Sequence, residues 1–306
     1  MLDVRVDDLP IPHPYFLYLN HEKISEVLLA RAAQNSNFTL LRPGTARVIK
    51  DSDGSGRRRV SVDHADGPIS ISAGCIAIAD GRNSHGRKAL GIETRQHDYE
   101  NPLLTMFAPR TFDDPRNDVH VFLTSMGVVS VVPRTGGEWK IGFPLARAAL
   151  GEWKNASPTE LGRRLRELVP ALKGIAPRMA GVYPVAMVNA SRWTDGNCVL
   201  LGDACHALHP GRSQGMNVAL RGVTILAKLL RDSAFEGGAS VVAALLREFE
   251  TQHKTPIDAR LEENHARGLE MDKVTAANVD RMRDALENVA ASKEKARNYC
   301  MRAAGY

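Results

Sequence analysis

The sequence predicts an α/β architecture, α+β overall, and three observations carry that prediction. Two short apolar runs, at 75–79 and 199–201, each lead into a Gly/Asp pair, Asp80–Gly81 and Gly202–Asp203. Uninterrupted apolar runs of this kind are typical of strands in a sheet buried on both faces. Between them, from 100 to 145, strand-like pieces alternate with turn residues, which in outline is an antiparallel sheet. Beyond residue 239 nearly everything reads as helix.

The remaining elements follow in order. Residues 20–33 read as a helix, with Ile24, Val27, Leu28 and Ala32 at helical spacing and Asn20 as cap. Residues 38–50 are extended and 51–56 form a turn. Residues 60–64 and 69–72 read as two strands joined through Asp66–Gly67, a hairpin signal. Inside 100–145 the expected strands are 103–108, 119–123, 128–133 and 139–143, with turns at 113–116 and 135–137. Residues 157–169 form a capped amphipathic helix with Ser157 as N-cap, Pro158 at the first position, and Leu161, Leu165, Leu168 and Val169 as its buried stripe. A long helix at 215–230 places Met216, Leu220, Val223, Ala227 and Leu230 on one face. The helical tail from 239 is interrupted near Pro256. Trp139 and Trp193 read as core or sheet-surface residues. Tyr183, Pro184 and Met187 read as core packing, with a place facing a ligand as the alternative.

Composition narrows the function classes. A chain of 306 residues holds one large domain or two ordinary ones, and it can bury a core without staples. Cys75, Cys198, Cys205 and Cys300 show no CxxC spacing, which argues against a zinc module or a disulfide scaffold and suits a reducing cytoplasm. No apolar run approaches the ~20 residues of a membrane-spanning helix. Asp3, Asp7 and Asp8 argue against a secretory leader in residues 1–15. The formal charge of +5 is mild. Its one basic run, Arg57–Arg58–Arg59, lies in a Gly/Ser-rich segment without interleaved aromatics, so it reads as a solvated loop and no nucleic-acid partner is expected.

The segment 198–230 has the strongest chemical content. A buried strand ends at Gly202, where a small residue permits close backbone approach, and Asp203 follows at the strand's carboxyl end, where α/β sheets place ligand-binding groups. A Pro/Gly loop then leads to Gly215–Met216–Asn217 at the start of a helix. The carboxylate can accept bonds from polyol hydroxyls, and the free amides and dipole of the helix tip favour an anionic ring or a phosphate. The same residues read equally well as a plain strand–turn–helix junction capped by Asp203. In 75–92 a second strand runs into Asp80–Gly81, followed by Ser84 and Arg87. Asp80 can accept bonds from turn amides and Arg87 can pair with a carboxylate or phosphate. Alone, this segment reads more readily as a strand-end turn than as a site.

Together, Asp80–Gly81–x–x–Ser84–x–x–Arg87 with Leu90–Gly91–Ile92, and Gly202–Asp203–Ala204–x–His206 with Pro210, Gly215, Asn217, Leu226–Ala227 and Leu230, resemble the DG and GD motifs of the FAD-dependent aromatic hydroxylases. These are the group A flavoprotein monooxygenases, which include p-hydroxybenzoate and ubiquinone-biosynthesis hydroxylases. The resemblance covers residues 15 to 265, with the motifs in the family's order and separation. It implies the remainder of a Rossmann-like FAD-binding domain, an antiparallel-sheet substrate domain and C-terminal helices. The implied boundaries are 1–98 for the first part of the FAD-binding domain, 99–188 for the substrate sheet, 189–235 for the return segment with the GD motif, and 236–306 for the helices.

The resemblance also implies roles. Asp203 would hold a ribityl hydroxyl of FAD, with Gly202 beside it. Pro210 and Ser213 would lie along the isoalloxazine. The helix tip at Gly215, Met216 and Asn217 would point at the pyrimidine end. Asp80, Gly81 and Arg87 would help bind the pyrophosphate and link to NAD(P)H use. The sheet at 100–145 would cover the substrate pocket. NAD(P)H would reduce FAD, O2 would add to give a C4a-hydroperoxide, and an aromatic or polyketide-like substrate would take one oxygen atom. No metal and no protein nucleophile are implied, and His206 reads as structural.

The sequence departs from the family in several places. No strand–GxGxxG–helix unit is present; Gly54–Ser55–Gly56 runs into three arginines. A truncated gene model and a split enzyme with a separate chain supplying that unit are the favoured explanations, and a remnant binding something else is the third. Without a central parallel strand, neighbouring strand edges and an apolar sheet face would be open to another chain. Ser213 stands where the GD motif usually has its first glycine, Gly222 takes the usual acidic position, Cys205 replaces an alanine, and His21 lies near a common arginine position. The competing function is a split or truncated flavoprotein subunit that binds without independent catalysis. A related flavin enzyme, such as a prenyl-lipid reductase, is a third.

Overall fold

The computed structural model describes residues 5–7, 9–52, 58–110, 117–232 and 238–303. The chain divides into two compact units, one of Met1–Phe38, Tyr99–Val185 and Leu269–Tyr306, the other of Thr39–Asp98 and Ala186–Gly268. The expected α/β class is observed: helices, antiparallel sheets and one parallel strand pair.

The first unit is built on a five-stranded sheet in the order Arg178–Tyr183, Leu103–Pro109, Glu138–Pro144, Gly127–Arg134, His120–Thr124, antiparallel throughout. The four strands expected in 100–145 are present, each starting or ending within one or two residues of its predicted bounds. The turn predicted at 113–116 lies outside the described residues. Gly136 and Gly137 turn the next corner with φ of +85° and +72°, which only glycine adopts without strain. Register places Met106 opposite Ile141 and Ile141 opposite Val131. Because side chains alternate along a strand, this fixes an inner face of Leu104, Met106, Ala108, Val129, Val131, Trp139, Ile141 and Phe143, all buried. The helix Pro158–Leu168 joins that core through Leu161 and Leu165, and Trp153 meets Phe143 edge-on at 5.1 Å. Its cap is as expected, with Ser157 Oγ accepting the Glu160 N–H at 3.3 Å. The Asp272 carboxylate accepts the N–H groups of Glu100 and Asn101 at 2.7 and 2.8 Å, fastening the start of the sheet to the turn before the helix Ala276–Ala290.

The helix His21–Ala32 forms where expected, but its apolar stripe is not buried: Val27 and Leu28 are more than half exposed. Asn20 does not cap it. Its side-chain oxygen accepts a hydrogen bond from Arg134 Nε at 3.2 Å instead, which draws the group away from the helix amides.

In the second unit, Gly44–Ser52, Arg58–His64 and Gly67–Ser72 form an antiparallel meander, with His64 paired to Gly67 across the predicted hairpin. At Arg58 and Arg59 the basic run is strand, not the expected solvated loop. Arg58 pairs with Asp195 while its N–H donates to Asn197 Oδ1. Arg57 and the expected turn residues 53–56 lie outside the described residues. The central feature is a parallel pair, Ile76–Ile78 beside Cys198–Leu200, with Thr194–Asp195 on the far side of the latter. Cys198, Val199 and Leu200 are buried. In the other strand only Ile76 and Ile78 are buried while Ala77 faces solvent, so the expectation of burial on both faces fails there.

Two helices complete this core. Gly215–Asp232 is amphipathic in the opposite sense to the one predicted. Val218 and Leu226 are buried, whereas Met216, Leu220 and Val223 are 42–45% exposed. The helix turns inward on Gly222 because a Cβ there would lie 2.8 Å from His253 Nε2 on the neighbouring helix. That helix, Gly238–Met271, runs unbroken through Pro256, contrary to expectation. Burial of Leu246, Phe249, Ile257 and Leu261 on either side of the proline outweighs the one backbone bond it removes. Trp139 and Trp193 are core residues, as is Met187, while Tyr183 and Pro184 are exposed and the core reading fails for them.

Gly222→Ala would gain about 1 kcal/mol of helix propensity. It would also drive a methyl group against the buried imidazole of His253. We expect a net loss of about 1–3 kcal/mol in denaturant unfolding. A variant as stable as the parent would refute the close-packing role of Gly222.

Candidate functional site

The parallel strands Ile76–Ile78 and Cys198–Leu200 end side by side, and each opens into a turn that carries predicted site residues. After the first, Gly81 takes φ +81°, Asp80 Oδ2 accepts the Gly86 N–H at 2.9 Å, and Ser84 Oγ accepts the Arg87 N–H at 2.9 Å, capping the short helix His85–Ala89. That helix lies directly on its strand. A Cβ at Gly86 would meet Ile78 Cγ2 at 2.7 Å. After the second strand, Gly202–Ala204 forms a single 3-10 turn with Gly202 at φ +57°. A Cβ on Gly202 would lie 3.4 Å from the Ala219 side chain, so this turn packs on the second turn of the helix Gly215–Asp232.

Arg87 joins the two turns. It is 3% exposed, and its guanidinium donates to the Ala204 carbonyl at 2.7 Å and the Arg82 carbonyl at 3.0 Å. Burial makes its proton easier to lose, while Asp80 and Cys205 oppose that. These carbonyls are where its donors lie, so the geometry shows a clamp between the two strand ends.

Asp203, Pro210, Ser213, Met216 and Asn217 are all exposed, with Gly202 and Gly215 half-buried behind them. Asp203 is open at its outer edge, yet its surroundings remove enough water to raise its carboxyl above the usual range, with Arg82 pulling the other way. Ser213 adopts φ +52°, ψ +31°, a left-handed conformation that costs a non-glycine residue ~1 kcal/mol or more. This is the position where the resemblance to the aromatic hydroxylases implies a glycine. The intervening loop is pinned from a distance: Asn264 exchanges bonds with the His209 backbone, at 2.7 Å to its N–H and 3.1 Å to its carbonyl. Asn264 and Arg82 were missed at the sequence level. Asn264 lies mid-helix 55 residues away, with no local pattern to mark it.

His206 follows in the short strand His206–Ala207 and packs against Trp193 at 5.1 Å and His253 at 6.3 Å between ring centroids. Desolvation, reinforced by His253, pushes its pKa down to about 4, with Asp258 opposing. Its Nδ1, His253 Nε2 and Trp193 Nε1 are buried without hydrogen-bond partners among the described residues. His206 is thus a neutral core group, in line with the structural reading.

Turns at the carboxyl ends of adjacent parallel strands, one leading to a helix tip, lie where α/β proteins place their ligand-binding groups. Residues 3–259 match the FAD binding domain family, and the chain belongs to that family. It is 27% identical over 266 residues to the ubiquinone hydroxylase UbiL of Rhodospirillum rubrum, covering 82% of this chain and 60% of the relative. Among solved structures, it resembles the p-nitrophenol 4-monooxygenase PnpA of Pseudomonas putida with a TM-score of 0.74 at 18% identity, over 97% of this chain and 75% of that one. The anhydrotetracycline hydroxylase OxyS of Streptomyces rimosus matches with a TM-score of 0.69 at 20% identity, over 96% and 58%. The chain therefore spans about 60% of the length of the curated relative. Each of the three is named as a hydroxylase or monooxygenase and none as an accessory subunit. The resemblance read from the two motifs is borne out at the level of family and fold. Among the described residues, no helix is long and apolar enough to cross a membrane.

Two predictions follow from this geometry. Arg87→Met would leave two inward-facing carbonyls without their donor and cost about 2–4 kcal/mol in denaturant unfolding, with Arg87→Lys recovering only part because an ammonium does not span both acceptors. A change below 1 kcal/mol would remove the clamp. For His206 the folded pKa lies below the unfolded value of 6.5. The unfolded chain then takes up the proton first, so stability is full above pH 6.5 and falls as pH drops toward 4, by up to about 3 kcal/mol. His206→Gln should flatten that part of the stability–pH curve. An identical acid slope in the variant would assign the loss to other groups.

Proposed function

We propose that this chain forms the flavin-holding and substrate-sheet parts of an FAD- and NAD(P)H-dependent monooxygenase that hydroxylates an aromatic or polyketide-like small molecule. The observation that carries this reading is the pair of clamped strand-end turns beside an exposed helix tip, in a chain of the FAD binding domain family. The donor set fits such a cofactor: a carboxylate acceptor at Asp203, and first-turn amides at Gly215, Met216 and Asn217 that have no carbonyl partner within their own helix. Bound FAD would take reducing equivalents from NAD(P)H and activate O2.

The chain's own residues would bind and orient. Asp203 accepts a hydrogen bond from a ribityl hydroxyl. The helix tip would offer positive potential to an anionic ring edge, and Pro210 and Ser213 would help hold the ring. Asp80, with Gly81, holds the first turn in shape for a pyrophosphate. Arg87 contributes by keeping the two turns in register. In this reading 1–98 and 189–235 are the FAD-binding parts, 99–188 the substrate sheet and 236–306 the C-terminal helices, working in the cytoplasm.

A strand–GxGxxG–helix segment belongs to this reading, in the same polypeptide or supplied by a separate chain. The support is the outer edge of Ile76–Ile78, which ends its sheet, with Ala77 and Ala79 exposed beside it. An added parallel strand would pair there.

Titration with FAD, followed by quenching of flavin fluorescence and by the visible spectrum, tests the assignment. The assay is run with and without a co-expressed strand–GxGxxG–helix segment. Asp203→Ala should weaken FAD binding at least tenfold, the scale of a lost hydrogen bond to a charged acceptor. Affinity unchanged within error would take Asp203 out of the site.

A further inference from the structure

We infer that Asn264 is a positioning residue for the proposed cofactor. From the helix Gly238–Met271 it sets the path of the loop 209–213, which carries Pro210 and Ser213. The cofactor role rests on the flavin reading above, whereas the brace itself does not.

Position 264 belongs by spacing to the stripe that buries its helix. Leu261 and Ile257 lie one and two turns before it, and all three residues are 4% exposed or less. An apolar side chain would suit that stripe, and a buried amide is costly there unless its donor and its acceptor are both met. They are met by one residue outside the helix. Asn264 Oδ1 accepts the His209 N–H at 2.7 Å, and its Nδ2 donates to the His209 carbonyl at 3.1 Å. A primary amide carries acceptor and donor side by side, so it can hold both polar groups of one extended residue, as an adjacent strand would. His209 has that extended backbone, with φ −60° and ψ 131°.

The loop's local bonds curl the chain but do not tie it to the helix. The Gly211 N–H donates to His209 Nδ1 at 3.1 Å, and the Ser213 N–H to the Pro210 carbonyl at 2.9 Å. Pro210 has no N–H to offer, and Ser213 sits in a left-handed conformation that its surroundings must maintain. Arg212 also meets the helix, through Glu263 at 3.0 Å, but Glu263 is half exposed and such pairs contribute little. The buried tie at His209 is thus the firmer one. Pro210 follows it directly and Ser213 lies one turn on, and these are residues that would help hold the flavin ring. A shift at His209 therefore passes straight to the proposed cofactor surface.

The test first follows amide hydrogen exchange in the purified 306-residue protein without FAD, by mass spectrometry. In Asn264→Ala the amides of 208–213 should exchange at least tenfold faster than in the parent, while those of 198–200 keep the parent rate. FAD titration with the co-expressed strand–GxGxxG–helix segment should then show at least tenfold weaker binding for Asn264→Ala. Asn264→Asp keeps the acceptor for the His209 N–H and loses the donor, so it should retain part of the affinity. Unchanged loop exchange would overturn the brace. Faster exchange at 198–200 in both variants would make Asn264 a general packing residue and overturn the positioning role, as would faster loop exchange with FAD affinity unchanged. If Asp203→Ala leaves FAD affinity unchanged, the flavin reading fails and takes the cofactor role with it, while loop exchange still decides the brace.

Discussion

A buried guanidinium holds the two strand-end turns of this molecule together. Arg87 and Ala204 are 117 positions apart, and their bond is what makes two strand-end turns one structure. Burying a full positive charge is unfavourable unless its protons are met, and here two carbonyls from different turns meet them. Only a planar fork with several donors can satisfy acceptors lying in different directions. The glycines around it serve the same closure. Gly86 lets its helix lie on the Ile78 side chain, and Gly202 lets the second turn lie on Ala219. Remove the clamp and each turn remains a plausible local structure, but nothing fixes their register.

The strand-rich half of the fold was legible because its signal is local and binary. Period-two alternation in 103–144 identified strands, although the facing of each became certain only when pairing placed Ile141 between Met106 and Val131. The long helix shows where that legibility ends. Gly215–Asp232 is apolar on two sides, one through Val218 and Leu226, the other through Met216, Leu220 and Val223. Spacing picks out both and cannot rank them. The choice was made by Gly222, whose missing side chain is needed only because His253 arrives from a separate helix. The same holds for Asn20, a good cap by residue type whose oxygen is taken by Arg134, 114 positions away.

The neighbourhood of the candidate site was legible in the sequence, and the environment of each side chain was not. The motifs placed Asp80, Arg87 and Asp203 in one neighbourhood, and the structure puts their turns side by side. A spacing pattern cannot say that Arg87 lies buried on carbonyls while Asp203 stands open. Nor could it reveal Asn264, whose two bonds to the His209 backbone brace the loop before the helix tip. Ser213 is the reverse case. Its departure from the family pattern was visible in the sequence, and its left-handed backbone gives the physical reason a glycine belongs there.

In the parallel pair the expectation of burial on both faces holds for Cys198–Leu200 and fails only in the outer strand, where Ala77 is exposed beside a fully buried Val199. Ile76 and Ile78 fill the covered side, and the open side carries Ala77 and Ala79. Alanine is a poor choice for a surface meant only for water, and a good one for a face that a helix approaches closely, since a methyl group keeps the backbones near. The outward stripe of Met216, Leu220 and Val223 adds adaptable apolar surface on the same unit. A strand edge with no neighbour among the described residues, two exposed alanines and a bulky apolar helix side are three separate features. Each is costly in water, and one added strand–helix segment would remove the cost of the edge by pairing and of the face by packing.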